Sequence, residues 1–90
     1  MEDLAISRKK INELDQQLVK LLEERFSVVI EINNYKTKHD LPVFDAKREQ
    51  QVLAKVAELA DDSAILPYLQ KIYQEIMHCS REYQKSQRKD

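Results

Sequence analysis

The chain has 90 residues, with 15 Lys and Arg against 16 Asp and Glu, one cysteine and no glycine. That length holds one domain at most, and so small a core needs idealised helices, cross-links or a partner chain. Near-balanced charge offers no field for nucleic acid or a membrane surface, Cys79 alone excludes an internal disulfide framework, and the lack of glycine excludes phosphate-cradling loops and dinucleotide-binding turns.

The composition reads as all helix. No apolar run approaches the roughly 20 residues of a membrane span, and the N-terminus MEDLAISRKK lacks a signal-peptide core, so a cytoplasmic location is expected. A lone thiol suits that compartment. His39 and His78 stand far apart with no second ligand nearby, so neither a metal nor a cofactor is expected.

The first predicted helix runs from about residue 3 to 38, without proline or glycine. Two heptad rows pass along it, Leu4, Ile11, Leu18, Arg25, Ile32 and Leu14, Leu21, Val28, Tyr35. Asn33 and Asn34 are weak helix formers within it. Pro42 disfavours helix at Leu41 and ends the segment. Asp45 is the expected N-cap of a second helix, about 45–60, with Arg48, Glu49, Val52, Val56 and Leu59 on one face. Asp61, Asp62 and Ser63 offer a cap for a third, about 64–87, in whose first turn Pro67 is tolerated. Its expected stripe is Ile65, Leu69, Ile72, Ile76, Cys79, Tyr83, with a neighbouring row Leu66, Tyr73, Met77, Ser80, Gln84. The polar tail QKSQRKD is expected to fray.

A helix of about 35 residues spans roughly 50 Å, whereas a compact globule of this size is only about 30 Å across. One chain cannot cover both heptad rows. The expected architecture is therefore all-α, with one long and two shorter helices per chain in an intertwined homodimer.

Arg25 breaks an apolar row, and Lys36 follows it three turns later on nearly the same face. Each has an ordinary reading: Arg25 as a snorkelling or ion-paired side chain, Lys36 as a cation suited to a helix C-terminus, Ser80 and Gln84 as polar residues at the edge of a stripe. Together, with Arg48 and Glu49, they place polar groups from three helices beside apolar faces. Breaking a buried charge pair costs about 3–5 kcal/mol, so an anion is expected to complete the set, and a small dicarboxylate suits these donors. Arg8 lies roughly 25 Å before Arg25 on the same helix. It can serve that ligand only from a second chain.

These residues in this order, RKKINELD (Arg8 to Asp15), LLEER with Arg25, Lys36, PVFDAKRE with Pro42, Asp45, Arg48 and Glu49, then SREYQ with Ser80 and Gln84, resemble the all-helical class of chorismate mutase. The resemblance covers nearly the whole of 1–90 as a single domain. It implies conversion of chorismate to prephenate in aromatic amino acid synthesis, in an entwined dimer with two sites. By position, Arg25 and a second chain's Arg8 would bind the substrate carboxylates, and Lys36 and Gln84 the ether oxygen. Arg48 and Glu49 would hold the ring hydroxyl region, with Asp45 assisting through its backbone or by ordering the loop and Ser80 touching a ring carboxylate or hydroxyl. Phe44 is expected to influence closure of the site, and His78 and Cys79 are expected to serve packing. No fused dehydratase or dehydrogenase segment is expected. Two rivals remain: an isochorismate-pyruvate lyase of similar fold, and a helical dimerisation module without a ligand.

Overall fold

Thirty-five residues free of glycine and proline form one uninterrupted helix, α1 (Leu4–Lys38), capped by the Asp3 carboxylate, which accepts from the Ala5 N–H. The computed structural model describes residues 3–88, in which two further helices follow, α2 (Ala46–Leu59) and α3 (Leu66–Gln87), and no strand. The predicted boundaries differ from these by one or two residues. Asp45 caps α2 as expected, its Oδ1 accepting from Arg48 N–H at 3.0 Å.

The cap expected at Asp61 to Ser63 is corrected. Asp62 Oδ1 accepts from Ala64 N–H at 2.9 Å and so shapes a preceding turn, while α3 begins on Ile65 without a side-chain cap. Pro67 does fall in its first turn, where a missing N–H leaves no helical bond unmade.

The end of α1 shows how the chain turns without glycine. Asp40 adopts φ 56°, the left-handed conformation usual just past a helix end. Leu41 N–H then donates to Lys36 O at 2.8 Å and Asp40 N–H to Thr37 O at 3.3 Å. This double closure satisfies two carbonyls that α1 leaves open, with aspartate tolerated at the left-handed position because its short polar side chain suits that geometry.

Helix α3 packs against both others, and among the described residues no Cα pair of α1 and α2 comes within 8 Å. Phe26 and Tyr83 meet edge to face at 5.4 Å across the α1–α3 contact. The buried apolar residues are Val29, Val56 and Met77, and equally many buried residues are polar, Asn33, Ser80 and Gln84. Such a core is assembled around polar groups rather than sealed over them. The row of α3 that is buried or half-buried is Leu66, Tyr73, Met77, Ser80, Gln84, whereas Ile65, Ile72, Cys79 and Tyr83 of the expected stripe are exposed. His78 and Cys79 are both exposed, which corrects their reading as packing residues within one chain. Leu59 likewise leaves its predicted face, at 69% exposure.

The described residues measure 58 × 25 × 15 Å, with a radius of gyration of 16.5 Å, against about 12 Å for a compact chain of this length. The excess comes from α1. Leu4, Ile11, Leu14, Leu18 and Leu21 are each more than half exposed, and Val28, Ile32 and Tyr35 continue the bare rows. Helix α1 thus meets α3 through a different face, one that includes Leu22, Phe26, Val29 and Asn33.

Candidate active site

Because α1 and α2 stand apart on α3, a cavity of about 240 Å³ opens between them. Helix α1 contributes Arg25, Val28, Val29, Ile32 and Lys36; the loop and α2 contribute Val43, Asp45, Arg48, Glu49 and Val52; α3 contributes Met77, Ser80, Arg81 and Gln84. Seven of the eight residues singled out from sequence therefore share one cavity. The eighth, Arg8, lies exposed on the N-terminal part of α1 and is not among its walls.

Arg25 is half-buried, and its Nη1 donates to Ser80 Oγ at 3.0 Å. Its guanidinium carbon stands 6.0 Å from the centroid of Tyr73, within cation–π range. Among the described residues no carboxylate lies within 4 Å of it. The ordinary reading of Arg25 as an ion-paired side chain is thereby set aside. Ser80, buried in turn, donates to Ile76 O at 2.8 Å, so the hydroxyl is fixed as an acceptor for Arg25 and leaves most guanidinium protons free.

Lys36 Nζ donates to Val43 O at 2.8 Å and to Gln84 Oε1 at 3.4 Å. An ammonium has three protons, so one remains for a ligand. With Oε1 of Gln84 turned to the lysine, the Nε2 end of that buried amide is left to donate. Burial pulls the Lys36 pKa below its ordinary 10.5, and the nearby Arg88 charge pulls the same way, while Asp45 and Glu49 oppose.

On the α2 side, the Asp45 carboxylate is engaged in capping the helix through the Arg48 N–H. Glu49 does not face an empty cavity. Both its oxygens accept from Arg81 Nη1, with 2.6 Å to Oε1, and the Arg81 guanidinium also stacks 5.3 Å from the Phe44 ring centroid. Phe44 is thus tied to α3 at the rim of the site.

Arg81 and Asn33 are the side chains that sequence reasoning missed. Asn33, 2% exposed, donates from Nδ2 to Gln84 O at 3.4 Å and accepts at Oδ1 from Arg88 Nε at 2.9 Å. It braces the Lys36–Gln84 pair from one turn behind. The expected fraying of the tail is corrected by the same contacts: Gln84 is buried, α3 runs to Gln87, and Arg88 is anchored on α1. Lys89 and Asp90 lie outside the described residues. The signal for Asn33 was available in its spacing, four after Val29 and three before Lys36.

A gap between helices, walled by cations, an amide and a hydroxyl over an apolar floor, is the class of site whose charge and donors suit a small organic anion. Among the described residues no cluster of three or more His, Cys, Asp or Glu is arranged to hold a metal, and no helix is long and apolar enough to cross a membrane. Residues 7–85 match the family described as chorismate mutase type II. The chain belongs to that family. Over 62 residues it is 32% identical to the chorismate mutase of Methanocaldococcus jannaschii, covering 69% of this chain and 63% of that one. It is also 32% identical over 81 residues to the bifunctional chorismate mutase/prephenate dehydratase of Aquifex aeolicus, covering 86% of this chain and 22% of that protein. A protein of the same description from Buchnera aphidicola subsp. Schizaphis graminum is 32% identical over 76 residues, 83% of this chain and 20% of its own length. The chain therefore spans about a fifth of the two bifunctional relatives and under two thirds of the archaeal one.

Proposed function

We propose that residues 1–90 act as a chorismate mutase domain, rearranging chorismate to prephenate for phenylalanine and tyrosine synthesis in the cytoplasm. The observation that carries this reading is the convergence of Arg25, Lys36, Asp45, Arg48, Glu49, Ser80 and Gln84 on one cavity, together with membership of the family.

The reaction is an intramolecular [3,3] shift. One C–O bond breaks as one C–C bond forms, so no nucleophile or general base is required. An enzyme gains rate by holding the compact chair-like conformer and by stabilising the charge that separates as the C–O bond lengthens. Arg25, oriented by Ser80, binds one carboxylate. The third Lys36 proton and the Nε2 group of Gln84 converge on the ether oxygen, where negative charge grows in the transition state. Arg48 and Glu49 hold the ring hydroxyl region. Because Gln84 donates while neutral, activity persists at neutral pH.

The active form is an entwined homodimer, in which Arg8 of a second copy reaches the other carboxylate. Its support is the bare face of α1: Leu4, Ile11, Leu14, Leu18 and Leu21 would bury their apolar surface on a partner. Arg8 sits within that face's helical span, out of reach of its own cavity.

The test is incubation with chorismate and, separately, isochorismate. Prephenate formed from chorismate is the expected result. Pyruvate from isochorismate without prephenate from chorismate would establish the lyase instead, and consumption of neither would leave a dimerisation module.

A further inference from the structure

Of the four cations that wall the cavity, Arg81 is the one that the family resemblance does not account for. It lies on α3 between Ser80 and Gln84, on the flank of their row. From there one guanidinium spans two other elements, gripping both oxygens of Glu49 on α2 and stacking on Phe44 in the preceding loop. The paired side chains are only 25% and 23% exposed, so their mutual attraction is poorly screened.

That pairing resolves a conflict within the site. Glu49 belongs there as an acceptor for a ring hydroxyl, yet a bare carboxylate repels a substrate that carries two negative charges. Arg81 occupies one acceptor position on each oxygen and leaves others open. With Arg81 present, four cations, Arg25, Lys36, Arg48 and Arg81, face two carboxylates, Asp45 and Glu49. This chain's own formal excess of two, to which a second copy's Arg8 would add one, falls to one without Arg81.

We propose that Arg81 is a positioning residue for substrate binding, cancelling the charge of Glu49 and fixing its carboxylate so that it can accept the substrate hydroxyl without repelling the dianion. This rests on the chorismate mutase reading of the same cavity. An ion pair that merely joins α2 to α3 would have the same geometry, so the test must separate binding from folding.

Steady-state kinetics with chorismate, well below each protein's Tm, are compared for wild type, Arg81→Met, Arg81→Lys, Glu49→Gln and the Arg81→Met/Glu49→Gln double variant. Arg81→Met is expected to raise KM roughly tenfold or more while kcat changes less than about threefold. Glu49→Gln, by removing the unpaired charge, is expected to return the KM of the double variant to within about threefold of Glu49→Gln alone. Arg81→Lys falls between, because an ammonium keeps the charge but not the guanidinium plane that stacks on Phe44. A lowered Tm with KM unmoved in Arg81→Met overturns the inference, as does a double variant whose KM stays as high as that of Arg81→Met. If wild type forms no prephenate, the functional reading itself falls; if wild type is active and KM is unmoved in Arg81→Met, only the role of Arg81 falls.

Discussion

From Leu22 to Lys38, α1 sets Phe26 against Tyr83, Arg25 against Ser80 and Asn33 against Gln84, whereas from Leu4 to Leu21 every residue of the same helix except Ser7 is exposed. The apolar spacing is equally regular in both halves. What differs is the presence of a partner: α3 has 22 residues and about 33 Å of length, too little to cover a 35-residue helix. The C-terminal half shows what α1 does when covered, which is to turn its polar residues inward. The N-terminal half carries the same kind of apolar surface, with Arg8 on the same stretch of helix, and it is the surface that the proposed dimer would bury.

The comparison breaks most sharply if the bare half is made charged. Leu14→Lys combined with Leu18→Lys puts two cations on the surface that a partner would bury, and loss of the dimer is expected to unfold the chain, since so few of its own residues are buried. Sedimentation and circular dichroism check this. A helical, active monomer would contradict the assembly proposed above.

Next in size is the division of labour between the halves. Lys36→Ala removes the donor proposed for the developing oxyanion and is expected to lower kcat by about 10²–10³-fold or more. Arg8→Ala is also expected to be severely impaired. Mixed and allowed to exchange subunits, the two variants should recover about a quarter of the wild-type sites, because each heterodimer has one site with both defects and one with neither. No recovery after verified exchange would place Arg8 outside the site.

Much of this division was readable from sequence because it depends on length and period. The helix boundaries follow from proline, the Asp45 cap and the lack of glycine, and the shared cavity follows from residues whose polarity conflicts with their stripe. Arg81 was not readable, since the arginine within SREYQ looks like any solvated helical cation until Glu49, 32 positions away, is seen to face it. Nor was the choice between two rows of α3, each apolar and each at helical spacing; α1 and α2 select the row bearing Ser80 and Gln84. Asn33 was read as a weak helix former because propensity describes an isolated helix, and its value lies in two bonds made to the far end of the chain.

The smallest expected effect lies in the pH response. The Lys36 ammonium is the form that can donate, and burial followed by Arg88 lowers its pKa from the ordinary 10.5. The proposed activity is therefore expected to be full at neutral pH and to be lost as pH rises through the lowered value, with the alkaline limb of kcat/KM falling below 10.5. Arg88→Gln, which removes a cation that lowers this pKa, should move that limb upward. The stability term has the opposite sense: the cost of holding a charged lysine here is present below the folded pKa and is relieved as pH rises toward the unfolded one. A limb at or above the ordinary lysine value in wild type would count against Lys36 as the group that titrates.

The turn at Asp40 ties these features together mechanically. Lys36 accepts the closing bond of that turn from Leu41 with its carbonyl, and with its ammonium it holds the carbonyl of Val43, two residues further along. Backbone and side chain of one residue thus close a small ring around the loop. A residue added between Asp40 and Val43 would have to be absorbed inside that ring. The loop's length is therefore gauged at the Lys36 ammonium itself, so this connection should vary in composition far more freely than in number of residues.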